Sequence, residues 1–493
     1  MQEPVAVIGS GPAGAVAAQA LLQRGIPVVM LESGEALPGG LLVRVNGRNV
    51  FRRVPKMHQL SKPHFAIGGH PETQWLFHLD PGGLSNHWTG AVPRMAPADF
   101  TEGEQLDTRY RWPLNYEDLA PFYTQAEQLM IITGGRESLP MVPAGTYRYH
   151  RRLPKAWRAI GEHARLRGQG LIPMPLADGS PWLTARRGTA FNSFTQIIQP
   201  LLKSPDFKLI LGAHVLRLEL DSSQKQVTTL IYQDRATNTE HRLHIRAAIL
   251  ACGALNSTKL LFDSACTAFP HGLGNENGVL GRYLHDHPHE WFAFEVDKPL
   301  PRLGQAAYLS RRAYGYPPLM ATGSTLGAAS FKEKLLSHTP VPSTIFGVQV
   351  FGTMIPTEDN FVAPDGSQTD AFGNPILRIC MDYDKDVREN LNASRKNLLD
   401  ILRAAGYESR IIHEPNPIRP GTSVHYGGTV RMHHSREFGV LDGWNRLHAV
   451  PNVLVTDASC FTTCPEKNPT LTVMALSLRA AYQLADRLQG HMQ

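Results

Sequence analysis

The chain has 493 residues and a formal net charge of +6, with lysines and arginines interleaved with acids and no basic run of five or more, which argues against a nucleic-acid partner. Its length suits two domains sharing a large core, and its 43 glycines and 37 prolines suit many turns between short elements. Five dispersed cysteines do not form a disulfide framework, and no stretch approaches the roughly 18 apolar residues of a membrane span, so a soluble cytoplasmic protein is expected. The start of the chain lacks the pattern of a secretory leader.

From the N-terminus, the apolar run Val5–Ile8 predicts a buried parallel strand, followed at once by Gly9-Ser10-Gly11-Pro12-Ala13-Gly14. An alanine-rich stretch, Ala15 to Arg24, predicts a helix stopping at Gly25, and Pro27–Leu31 predicts a second strand closed by Glu32. In such a β-α-β unit Gly9 makes the tight turn, Gly11 admits a pyrophosphate, and Gly14 lets helix and strand pack closely. Pro12 and Ala13 belong to the same turn, and the phosphates are expected on the N-terminus of the helix that follows it. Glu32, eighteen residues past Gly14, stands where an acid accepts hydrogen bonds from ribose hydroxyls. The unit predicts a dinucleotide and does not by itself separate FAD from NAD.

Further motifs follow in chain order. They are Pro81-Gly82-Gly83-Leu84-Ser85-Asn86-His87-Trp88-Thr89-Gly90, Val215 after Ala213-His214, Ala247 to Ser257 with Ala251 and Gly253, and Leu280 to Pro288. Ser423 to Met432 then carries His425, and Val455-Thr456-Asp457-Ala458 leads to Asn468-Pro469-Thr470-Leu471-Thr472. With the first unit, these resemble the glucose–methanol–choline (GMC) oxidoreductases along most of the chain, closest in motif to pyranose oxidase and glycoside 3-oxidase-like members.

The resemblance implies FAD and an α/β architecture: a Rossmann-like FAD-binding domain on a parallel sheet and an α+β substrate domain on a mostly antiparallel sheet. Residues 1–95, 190–285 and 425–493 are expected in the first, and 96–189 and 286–424 in the second. Strand-rich stretches at Trp291–Asp297, Thr344–Met354 and Ile376–Tyr383 suit the substrate sheet. The resemblance places Ser85, Asn86, His87, Trp88 and Thr89 against the flavin, with Thr89 near its N5. It places Val215, Ala251, Gly253 and the Leu280–Pro288 segment around the adenosine half, and Asp457, Asn468, Pro469 and Thr470 also on FAD. A histidine in an Asn-His-Trp-Thr setting often carries FAD covalently in this family, so His87 is a candidate tether.

Oxidising an alcohol by hydride transfer leaves a hydroxyl proton, and a histidine is the side chain suited to take it near neutral pH. His425 is assigned as that base and Asn468 as its hydrogen-bond partner; Asn468 also has a rival reading as a helix N-cap before Pro469. The substrate is expected to be a sugar, glycoside or polyol, with a choline-like, aromatic or steroid alcohol, or lyase chemistry, as alternatives. Oxygen, a quinone or a redox protein would accept the electrons. His285, His287 and His289 alternate as metal ligands on a strand would, but no carboxylate or cysteine complements them at ligand spacing, so no metal is expected.

Overall fold

Val5–Ile8 forms a strand (β1) with all four residues buried, as a run lacking polar alternation requires. In this computed structural model, the described residues are 3–35, 42–45, 48–51, 58–59, 65–67, 75–177, 191–301, 303, 306–312, 319–328 and 344–490. β1 leads into helix α1 (Pro12–Gln23), and strand β2 (Val28–Glu32) returns parallel to β1, with Val5 opposite Val28 and Ile8 opposite Leu31. The helix starts three residues before the predicted Ala15 because the fixed φ of Pro12 suits the first turn, where its missing N–H costs nothing. Two glycines are demanded by space. Gly9 has φ +100° and a Cβ there would lie 2.5 Å from Ala251 O, while a Cβ on Gly14 would lie 2.0 Å from Gly9 O.

The sheet around β1 draws on the beginning, middle and end of the chain. Its order is Phe207–Leu211, β2, β1, Ala247–Leu250 and Val453–Val455, every pair parallel. The helix Thr470–Leu488 packs on α1, with Ser477 Oγ donating to Ala13 O at 2.8 Å.

A second, six-stranded sheet runs in the order Gly170–Pro173, Ala307–Arg312, Ala321–Ala328, Ile345–Gly352, His289–Val296 and Ser409–His413, every pair antiparallel. Phe292, Phe294, Phe346 and Val348 of this sheet form a separate core with Trp157, Leu398 and Leu402 from two covering helices. Ile376–Tyr383 was expected in this sheet. Pro375–Cys380 pairs instead with Phe361–Thr369, because Asp370 Oδ1 accepts from Phe372 N and Asn374 N and closes a local hairpin. The alternating histidines do not share one strand either, since the strand begins only at His289. Among the described residues no helix is long and apolar enough to cross a membrane.

Candidate active site

Helix α1 begins at Gly11 with no side-chain cap and no acid in its first turn, so its free N–H groups and positive end face open space. A Cβ on Gly11 would meet no atom within 4 Å, and the same holds at Gly253, where Ala247–Leu250 breaks into the helix Ala254–Asp263. This is a cradle for an anionic, backbone-hugging group, as a pyrophosphate is. At the end of β2 the buried Glu32 carboxylate accepts from Ser10 N at 3.0 Å, from Gly34 N at 2.8 Å and from Ser10 Oγ. Burial raises its pKa and these hydrogen bonds oppose the rise.

The Pro81–Asn86 loop is folded onto this turn. Gly82 N donates to Ser10 Oγ at 2.9 Å, and a Cβ on Gly83 would come 3.5 Å from Gly11 Cα. Ser85 Oγ donates to Gly82 O at 2.6 Å, Asn192 Nδ2 to Asn86 Oδ1 at 2.6 Å, and Ser193 Oγ to Ser10 O at 3.0 Å. Asn192 and Ser193 carry no pattern that marks them in advance, and Ser10, inside the glycine motif, gains its role only from these contacts. Elsewhere, Ala251 N donates to Ile8 O at 2.9 Å. Asp457 accepts from Gly253 N at 3.1 Å, Ser257 Oγ at 2.5 Å and Ser459 N at 3.0 Å, tying Val453–Val455 to the start of the helix Ala254–Asp263. Val215 lies half-buried on the strand Ala213–Leu220. The fit to FAD is thus met by an uncapped helix start, an open glycine edge and a buried acid at the strand end.

His87 stands at the far end of the same loop, half-buried, with Thr89 exposed beside it and Trp88 Nε1 donating to Phe191 O at 2.8 Å. His87 Nε2 lies 3.2 Å from His78 Nδ1, and His78 Nε2 lies 3.3 Å from Asp80 Oδ2. Asp80 acts on His78 as a nearby charge, and the ring nitrogen of His87 that His78 does not engage is Nδ1. Burial, then the His78 charge, pushes the His87 pKa down to about 4, with Asp80 opposing.

The second constellation lies on the loops Ser423–Met432 and Cys464–Pro469. His287 Nε2 contacts Pro465 O, which can only accept, so the proton of His287 sits on Nε2. Burial holds the His287 pKa down at about 4, so the ring is neutral and Nδ1 is an acceptor. His425 Nδ1, 2.8 Å away, therefore donates to it, and His425 Nε2 is left with a lone pair 3.4 Å from Asn468 Nδ2. Burial first, and then the closeness of two further titratable rings, His287 and His289, keeps the His425 pKa well below 6.5.

The loop that presents His425 is held by Asp286, which accepts from His425 N at 2.8 Å and from Ser423 N and Oγ; burial pushes its pKa up to about 6. Val424 takes φ +61°, a left-handed conformation costly for a β-branched residue, immediately before His425. Phe351 of the antiparallel sheet leans on His425 at 5.4 Å and stacks on His289 at 4.7 Å. His425 and Asn468 are each partly exposed among buried neighbours.

Asn468 does not cap the following helix. The helix runs Thr470–Leu488 with Pro469 at the cap position and no side-chain capping bond, and the Asn468 amide turns to His425. The alternating histidines, which the resemblance set near the adenosine half, lie against the His425 loop. Their alternation offered a metal site that the sequence argued against, and here both His287 nitrogens are taken by hydrogen bonds. Among the described residues no three His, Cys, Asp or Glu side chains are arranged to hold a metal ion.

The fold and the glycine cradle define a flavoprotein of the FAD-binding α/β type. Residues 113–289 and 356–477 each match the GMC oxidoreductase family, and residues 2–37 match an FAD binding domain. Paromamine 6'-oxidase of Streptomyces fradiae is 30% identical over 98% of this chain and 91% of its own length. C-glycoside 3-oxidase of Microbacterium trichothecenolyticum is 24% identical over 100% of this chain and 98% of its own. The crystal structure of pyridoxine 4-oxidase from Mesorbium loti covers 100% of both chains with a TM-score of 0.68 at 19% identity, a likeness of fold. The chain belongs to the GMC oxidoreductases, enzymes that oxidise alcohols with FAD.

Proposed function

We propose that the enzyme oxidises a hydroxyl of a sugar, glycoside or polyol, with His425 as general base and Asn468 orienting the substrate oxygen. The observation that carries this is the proton order along Pro465 O, His287 and His425, which leaves a bare Nε2 beside an amide donor. Bound FAD supplies the hydride acceptor. His425 Nε2 takes the hydroxyl proton, Asn468 Nδ2 donates to the same oxygen, and the rings of His287 and Phe351 back His425 so that it does not turn away. The carbohydrate class is supported by relatives named for paromamine and C-glycosides. The test is anaerobic bleaching of the flavin by a panel of sugars, glycosides and non-sugar alcohols. Bleaching by a choline-like, aromatic or steroid alcohol alone would replace the substrate reading.

The cradle residues proposed for FAD are Gly9, Gly11, Pro12, Ala13, Gly14 and Glu32 for the nucleotide, with Val215, Ala251, Gly253 and Asp457. Ser85, Asn86, His87, Trp88, Thr89, Asn468, Pro469 and Thr470 are proposed for the flavin side. We further propose that FAD is tethered at His87, whose Nδ1 is the nitrogen its neighbours leave free. Acid-precipitated protein is then expected to stay yellow; colour wholly in the supernatant excludes the bond. The two sheets support FAD-binding segments 1–95, 190–285 and 425–493 and substrate segments 96–189 and 286–424. Five free thiols support a cytoplasmic setting, and oxygen, a quinone or a redox protein takes the electrons from the flavin.

A further inference from the structure

The loop that carries Asn468 is anchored from behind by charges that no step of the reaction uses. Glu466 and Lys467 are 1% and 2% exposed. Lys467 Nζ lies 2.6 Å from Glu466 Oε1 and 2.9 Å from Asp99 Oδ2, and Ser310 Oγ donates to Glu466 Oε1 at 3.0 Å. Asp99 is fully buried, is paired also with Arg312, and accepts from Ala96 N at 2.7 Å at the start of the helix Pro97–Thr101. Arg312 reaches on to Glu102 Oε2 at 3.3 Å. Ser310 and Arg312 belong to the strand Ala307–Arg312, so the charges fasten the reaction-side loop to the antiparallel sheet.

The preceding residues are held as well: Cys464 pairs with Met354 in an isolated β-bridge, and Pro465 O accepts a hydrogen bond from His287 Nε2–H. Every residue from 464 to 467 thus has a fixed partner, and the next side chain in line is the Asn468 amide. Burying this many charges is costly, and an apolar plug would hold a loop without that cost. Charge pairs differ from a plug in drawing particular atoms together, Lys467 Nζ to Asp99 and Glu466, and the Ser310 hydrogen bond to Glu466 is directional, so together they specify where the loop backbone sits and not merely that it is covered.

We infer that Lys467, with Glu466, is a positioning residue of the oxidation: it sets Asn468 Nδ2 at its distance from His425 Nε2 and makes that distance depend on the antiparallel sheet. The inference rests on the reading of His425 and Asn468 as the reacting pair. A misplacement of about 1 Å at an oriented group is enough to slow a reaction severely, and residues 467 and 468 share one stretch of backbone. Loss of the anchor therefore acts through Asn468 and leaves the nucleotide cradle at Gly9, Gly11, Gly14 and Glu32 alone.

The test removes one buried acid and one buried base together, Glu466→Gln with Lys467→Met, in the full FAD-loaded chain. Arg312 remains to pair Asp99 and Glu102. FAD content and the melting temperature verify the fold, and anaerobic stopped-flow with a reducing sugar gives the rate of flavin reduction and the sugar's dissociation constant. Roughly tenfold slower reduction is expected, the scale of a lost hydrogen bond, with the dissociation constant within about threefold. Because the anchor acts through Asn468, adding Asn468→Ala is expected to slow the reaction no further, whereas independent sites would multiply to roughly a hundredfold. A parent-like rate, or multiplying effects, overturns the inference. Should the double change lose FAD, Ser310→Ala, which frees only the Glu466 anchor, is judged by the same cycle with a several-fold effect expected. His425→Ala is run in parallel: if it reduces its flavin at the parent rate, the reading of the reacting pair has failed, which the cycle alone would not reveal.

Discussion

At His78 and His87, and again at His287 and His425, one imidazole holds another through a single nitrogen-to-nitrogen hydrogen bond, 3.2 Å long in the first pair and 2.8 Å in the second. The far end of each chain differs: Asp80 carboxylate behind His78, Pro465 carbonyl behind His287. Behind His287 the hydrogen-bonded carbonyl decides that His425 keeps its lone pair on Nε2, whereas behind His78 the carboxylate acts by charge. The carboxylate favours the charged form of its pair, which Asp80 does for His87, whereas the carbonyl adds no full charge and the second pair is kept neutral by burial. The difference teaches that a ring's role is set by what lies two partners away and by what its free nitrogen faces. For His425 that is Asn468.

The sharpest way to break this comparison is to exchange each near ring for alanine. His425→Ala is expected to keep FAD and fold while flavin reduction by a sugar falls about 10²–10⁴-fold, the usual cost of losing a general base. His87→Ala is expected to change that rate by less than roughly tenfold, because it removes no proton acceptor from the reacting pair. Equal losses in anaerobic stopped-flow would show that the two pairs do not differ in this way.

The far partner comes next. His287→Leu removes the acceptor that fixes His425 Nδ1–H and strands Pro465 O, so reduction is expected to slow about ten- to a hundredfold, on a penalty of ~1–3 kcal/mol for unsatisfied buried groups. A parent-like rate would mean that the His425 tautomer is set elsewhere.

Burial of neutral histidines has its own signature in stability. His289 is pushed down to about 4, chiefly by burial and then by the His287 charge, and its buried Nε2 has no hydrogen-bond partner among the described residues. The unfolded chain takes up this proton near pH 6.5 and the folded chain only near 4, so the stability tied to it is fully present above pH 6.5 and is lost as pH falls through that window. His289→Phe, which keeps a ring against Phe351, is expected to flatten the fall in stability between pH 6.5 and 4 by up to about 1.4 kcal/mol per pH unit. Denaturant melts of the two proteins across that range with an unchanged slope would refute it.

A small effect is also expected at Asn468→Ala, where one neutral hydrogen bond worth ~0.5–1.5 kcal/mol is lost and reduction slows by at most roughly tenfold. Stopped-flow rates slower by a hundredfold or more would make Asn468 more than an orienting donor.

The amino-acid sequence by itself determined the elements whose cause is local. The apolar run Val5–Ile8, the glycines at 9 and 14 and the proline opening α1 are each required by contacts within one β-α-β unit, so the pattern and the structure agree to within a few residues. His425 and Asn468 were legible because each sits in a recognisable motif. Only the tertiary structure decided how the site works. His287 lies 138 residues from His425 in the chain and Lys467 is held by Asp99 and Glu466 in a fully buried cluster. No periodicity links such residues, since hydrogen bonds and ion pairs between distant segments depend on where loops meet in space. The same physics set His287 against His425: spacing along the chain states which residues are near in sequence, and the acceptor opposite each nitrogen, supplied by another segment, fixes which nitrogen carries the proton.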